Sequence, residues 1–89
     1  MIKVTFTAKQ GFSTQQYQQV MQALADAGLS KPAQRLSHIA WGSEADIHVT
    51  DVWTSAEALQ QFGTQLTPIL QRVGVELEPD IAPAHYLVQ

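Results

Sequence analysis

The chain is expected to fold as an α+β domain, a four-stranded antiparallel sheet with two helices on one face. Three features predict it. Residues 2–8 alternate apolar Ile2, Val4, Phe6 and Ala8 with polar Lys3, Thr5 and Thr7, the period of a half-buried strand. Two longer segments carry apolar residues at helical spacing behind capping signals. The run from Val49 to Phe62 passes from strand pattern through Trp53 directly into a helix start.

The elements come in order along the chain. After the first strand, Lys9-Gln10-Gly11 reads as a turn. Ser13 begins a helix, with Gln16 at capping-box spacing and Phe12 and Tyr17 at the two positions of a hydrophobic staple. Tyr17, Val20, Met21 and Leu24 form its inner stripe, and Gly28 is its expected left-handed stop. Residues 29–33 are a loop and 34–41 a second strand. Gly42 to Ala45 read as a hairpin connection and 46–53 as a third strand. Thr54 and Glu57 stand at capping-box spacing ahead of a second helix from Ser55 to Gly74, which buries Leu59, Phe62, Leu66, Ile69, Leu70 and Val73. Pro68 lacks an N–H, so a kink or restart is expected near Thr67. Residues 75–83, bounded by Pro79 and Pro83, read as an extended arm, and Ala84 to Val88 as the last strand. The order strand, helix, strand, strand, helix, strand suits a ferredoxin-like split βαβ fold occupying residues 1–89 as one domain.

Composition narrows the function classes. Five basic against eight acidic residues give a net charge of −3, and the basic ones are scattered, so nucleic acid is not an expected partner. No apolar stretch approaches the ~18 residues of a membrane span. There is no cysteine, hence no disulfide or thiolate metal site, and Met1 runs into strand pattern without a leader. A cytoplasmic protein is expected. There are twelve glutamines, which crowd the outward positions of the expected helices, and no asparagine.

The sheet face turned away from the helices calls for a cover. Four strands of about six residues make a face of roughly 400 Å². Apolar residues fall on both sides of the second and third strands: Ile39 and Trp41 oppose Leu36 and Ala40, and Val52 opposes Ile47, Val49 and Trp53. A symmetric homodimer, sheet against sheet, would hide the exposed side, with the 75–83 arm reaching toward the partner.

Candidate chemistry concentrates on one wall. His38 has the reference pKa, near 6.5, of a general base that works at neutral pH. Asp51, in mid-strand between Val49 and Trp53, needs a partner if buried. A four-residue hairpin loop puts Asp51 on the face of His38, as diagonal neighbours; one residue more puts it on the face of Arg35 instead. The first register makes a carboxylate-oriented imidazole, the second a structural ion pair. Trp53 reads either as a flat wall for an aromatic ligand or as core, Tyr17 as a hydroxyl within reach of a pocket, and His85 as a last-strand residue turned toward pocket or arm. His38, His48 and His85 match no metal-ligand spacing, and no metal is expected.

Tyr17, His38-x-Ala40, Asp51-Val52-Trp53-x-Ser55-x-Glu57-Ala58, Leu66-x-Pro68-x-Leu70, Gly74 and His85 together resemble small dimeric α/β-barrel proteins of the antibiotic biosynthesis monooxygenase group. The resemblance covers nearly the whole chain. It implies a barrel of two sheets and a pocket between sheet and helices in each protomer. It also implies cofactor-independent oxygenation of a small aromatic or enolisable molecule, with His38 as base, Asp51 as its orienter, and Trp53, Tyr17 and His85 around the ligand. Cofactor-free oxygenases and haem-degrading relatives use a pocket asparagine, which this chain lacks; neither haem nor any other cofactor is expected. A non-catalytic ligand-binding or dimeric interaction module is the alternative, and it predicts Asp51 bridged to Arg35 or to backbone.

Overall fold

The computed structural model describes residues 1–89. Its elements are β1 (Ile2–Ala8), α1 (Thr14–Asp26), β2 (Arg35–Ser43), β3 (Asp46–Trp53), α2 (Ala56–Val73) and β4 (Leu77–Pro83). The antiparallel sheet runs β2-β3-β1-β4. This is the predicted ferredoxin-like α+β fold.

Both helices cover the face formed by Val4 of β1 and Ile47, Val49, Asp51 and Trp53 of β3, alternate residues that are all buried. One apolar cluster joins Phe12, Val20 and Leu24 to Ile47, Val49, Ile69 and Val75; a second joins Val4, Trp53 and Leu59. Partly buried Phe6 and Phe62 pack against both and bridge them.

Helix α1 begins as expected. Ser13 caps it, accepting from the Gln16 N–H at 3.1 Å, while Gln16 Oε1 accepts from the Ser13 N–H at 2.9 Å. Phe12 meets Tyr17 edge to face at 6.0 Å, which closes the staple and fixes where Tyr17 enters the core. At the other end the Leu29 N–H reaches Leu24 O (2.8 Å) and the Gly28 N–H reaches Ala25 O (3.0 Å), with Gly28 at φ 75°. That is a Schellman stop, and it needs a residue without a Cβ in the left-handed region.

Four expectations are corrected. The cap of α2 is Ser55, whose Oγ accepts from the Ala58 N–H, and not Thr54 paired with Glu57. Thr54 still belongs to the strand end: its N–H and hydroxyl bond the backbone and side chain of Gln34. Helix α2 also runs unbroken through Pro68, with no restart at Thr67. The Thr67 hydroxyl bonds Gly63 O at 2.8 Å within that turn.

The last strand is β4 at Leu77–Pro83, the segment expected to be an arm, and residues 84–89 lie beyond the sheet. β4 pairs with β1 from Leu77↔Ala8 to Pro83↔Ile2. It is an edge strand, where Pro79 and Pro83 are tolerated because one side of the ladder has no neighbour. The arm therefore completes its own sheet.

The β2–β3 register is neither of the two alternatives. The loop is only Glu44-Ala45, Ser43 faces Asp46, and His38 faces Asp51 directly. A bulge between Arg35 and Ser37 then shifts the pairing, so that Arg35 faces Trp53. One extra residue puts Arg35 on the same face as His38 and Asp51. Uniform pairing allows only one of the two.

Two glycines test this backbone. A Cβ on Gly63, mid-way along α2, would meet nothing within 4 Å, whereas at Gly42 (φ 111°) it would stand 2.6 Å from Asp46 O. Gly63→Ala is expected to stabilise by about 0.4–1 kcal/mol, read as a rise in Tm of roughly 2–8 °C. Gly42→Ala is expected to destabilise by about 1–3 kcal/mol in chemical denaturation.

Candidate functional site

The site grows from one buried charge. Asp51 is the single buried polar residue, 4% exposed in the middle of β3. A carboxylate removed from water needs partners on its oxygens. Asp51 Oδ1 takes a 2.6 Å contact from His38 Nδ1, and Oδ2 a longer one of 3.4 Å from Trp53 Nε1. An ionised carboxylate only accepts, so His38 carries its proton on Nδ1. The other ring nitrogen, Nε2, then accepts from the Tyr17 hydroxyl at 2.7 Å. Trp53, Asp51, His38 and Tyr17 form one hydrogen-bonded chain from the core of the sheet to the inner stripe of α1.

The chain reaches an apolar cavity of about 40 Å³. Its polar lining is Tyr17, Arg35, His38 and Asp51; Phe6, Phe12, Val49, Phe62 and Leu66 are among its apolar walls. That space suits about three water molecules at roughly 10–15 Å³ each, so a phenol-sized guest has to part the side chains of α1 and α2. A shallower cleft of about 270 Å³ lies outside it and shares Arg35 and His38.

The placement of the expected site residues is mixed. His38 and Asp51 meet, face to face and not as diagonal neighbours. Tyr17 lines the cavity and bonds His38. Trp53 is not a wall of this cavity. It is 1% exposed, tilted against Phe62 at 5.1 Å, and it supports Asp51 from behind. His85 lies on the exposed tail after β4, because the sheet ends at Pro83. Arg35 joins the site through the bulge and does not bridge Asp51; its guanidinium bonds Ser30 O at 3.1 Å. Sequence periodicity carries no signal for a bulge, so Arg35 and His38 stood as alternatives. No group of three or more His, Cys, Asp or Glu side chains gathers anywhere in the fold.

The ferredoxin-like fold that carries this site is shared with solved structures described as antibiotic biosynthesis monooxygenases or cofactor-independent oxygenases. The chain is similar over its full length to an antibiotic biosynthesis monooxygenase candidate from Deinococcus radiodurans (TM-score 0.66, 16% identity, 97% of that chain covered). It is also similar to SnoaB, a cofactor-independent oxygenase from Streptomyces nogalater. In an asparagine-to-alanine variant of SnoaB the TM-score is 0.68 at 12% identity, with 98% of this chain and 95% of that one covered. A further monooxygenase candidate, from Chloroflexus aurantiacus, matches at TM-score 0.57 and 13% identity, with both chains covered in full. At these identities the likeness establishes the fold. No family model and no curated protein sequence matches the chain.

The phenol offers a direct check. Burial pushes the Tyr17 pKa above its ordinary 10.0, the Arg35 guanidinium pulls it down, and the Asp51 charge pushes it up again, with a net rise. A folded-state pKa above the unfolded one stabilises the fold below pH 10, and the gain is lost as pH rises through the folded value. Tyr86→Phe leaves Tyr17 as the one phenol in the chain. Its absorbance titration at 295 nm is expected to centre above pH 10, with unfolding free energy falling over that same interval.

Proposed function

We propose that this is a cofactor-independent, monooxygenase-like enzyme acting on a small aromatic or enolisable molecule. One observation carries the proposal: the unbroken chain Tyr17 Oη–His38 Nε2 (2.7 Å) and His38 Nδ1–Asp51 Oδ1 (2.6 Å) opening on an apolar cavity. Both ring nitrogens of His38 are engaged, so a substrate proton arrives at Tyr17 Oη as the phenol proton moves to Nε2. The imidazolium that results faces Asp51, which stabilises it. Apolar walls shield the carbanion or phenolate from water, and an electron-rich anion of this kind reacts with dioxygen. For an enolisable methylene the sum is CH2 + O2 → C=O + H2O, which balances with no other reductant. The non-catalytic alternative called for Asp51 tied to Arg35 or backbone, and its partner is an imidazole instead.

Oxygen uptake over a panel of phenols and enolisable aromatic ketones, from 2-indanone upward in size, tests the proposal. One dioxygen consumed per ketone oxidised is expected. The rate should fall about 10²–10⁴-fold in His38→Ala, the range for loss of a general base. No uptake across the panel, or unchanged turnover in His38→Ala, would sink it.

The same reading extends to assembly. Ile39 (55% exposed) and Trp41 (46% exposed) lie on the sheet face turned away from the helices, beside partly exposed Val52. Two chains packed through this face would remove them from water and brace β3 from behind. Sedimentation is expected to give a homodimer, with Trp41→Glu shifting it to monomer; a wild-type mass that stays monomeric at every concentration tried ends this part of the reading.

A further inference from the structure

Arg35 is out of place by the logic of charge pairing. The salt bridges of the structure join Lys9 to Glu76 and Glu78, His38 to Asp51, and His48 to Asp46, and none involves Arg35. Its guanidinium spends a hydrogen bond on the backbone of Ser30 and has no carboxylate within 4 Å. The β2 bulge nonetheless turns this side chain toward the helix-covered face, where it lines both the inner cavity and the outer cleft. Lys31 lines the same cleft, again without a carboxylate partner. Two of the five basic side chains of an acidic chain thus line a cleft that adjoins the apolar cavity through Arg35 and His38.

The single acid in either lining is Asp51, engaged on both oxygens by His38 and Trp53. An anion entering past Arg35 therefore meets two cations with no carboxylate partner, ahead of a single carboxylate whose two oxygens are both engaged. Arg35 lines the same cavity as Tyr17, the reacting end of the proton chain.

We propose that the ligand of this site is an aromatic molecule bearing an anionic group, a carboxylate or an equivalent oxyanion, held by Arg35 where the cleft adjoins the cavity, with Lys31 in support. The inference rests on the cavity being the substrate site proposed above. Arg35 presents a planar fork of donors that fits a carboxylate, and Lys31 a point charge. With the anionic group at Arg35, the ring extends inward toward Tyr17.

Benzoate and the near-isosteric but neutral benzamide separate the possibilities. Binding to the full chain is followed through the ring-proton NMR signals of His38, at low salt. Benzoate is expected to bind at least about tenfold tighter than benzamide, the preference a charged hydrogen bond confers. Arg35→Gln should reduce that ratio to within about twofold, with an unchanged Tm and far-UV spectrum certifying the fold. Lys31→Gln should lower the ratio by a smaller factor, and added salt should lower it in the wild type. Equal affinities in the wild type, or a ratio kept in Arg35→Gln, overturn the anionic preference and leave the cavity reading standing. If neither compound binds, the cavity reading falls and this inference falls with it.

Discussion

A carboxylate taken out of water in the centre of a sheet cannot be left alone, and the surroundings of Asp51 are built around that constraint. Its partner has to come from the neighbouring strand, so the β2–β3 hairpin must place an imidazole directly across from it. The far nitrogen of the imidazole then needs a donor, which the inner stripe of α1 supplies as the Tyr17 hydroxyl. Tyr17 in turn is held by its staple with Phe12. The same pairing that satisfies Asp51 thus joins sheet to helix. Leaving a buried carboxylate without its hydrogen-bond partner costs about 1–3 kcal/mol or more, a large share of the 5–15 kcal/mol by which native domains are stable. Structure and site are here one network, and a substitution in it has to be judged on stability and on chemistry separately.

The network also explains how a small sheet keeps its register. A hairpin with a two-residue loop would be free to slip if both its faces were alike. The helix-facing side of β3 carries Ile47, Val49, Asp51 and Trp53, every one buried, so a slip by one residue would bury His48, Thr50 and Val52 in their place. The bulge near Leu36 is the one irregularity, and it sits where Arg35 is turned from the open face to the cavity. Bulges that re-aim a side chain commonly lie beside functional sites.

Among proteins of this architecture, SnoaB is a cofactor-independent oxygenase. The chain described here keeps the fold at 12–14% identity to it and contains no asparagine anywhere. Its polar cavity groups are a phenol, an imidazole, a carboxylate and a guanidinium. Those groups can move a proton and hold an anion. The fold by itself specifies neither task, since function resides in the groups placed on it.

The order of elements, the faces of both helices, the α1 cap and staple, and the glycine stops were all legible in the sequence. They depend on residues within four or five positions of one another, where periodicity and capping chemistry act. The pairing of His38 with Asp51 was legible in kind, because a mid-strand acid needs a partner and few were available, but its register was not. Hairpin loop length, the bulge at Leu36 and the choice of residues 77–83 over 84–88 as the edge strand are decided between strands. So are the retreat of Trp53 into the core and the stranding of His85 on the tail. Local sequence chemistry specifies which groups the chain has and the elements that carry them. Which groups meet is set by strand pairing, which couples residues far apart in the chain, and one inserted residue reverses the face of every side chain beyond it.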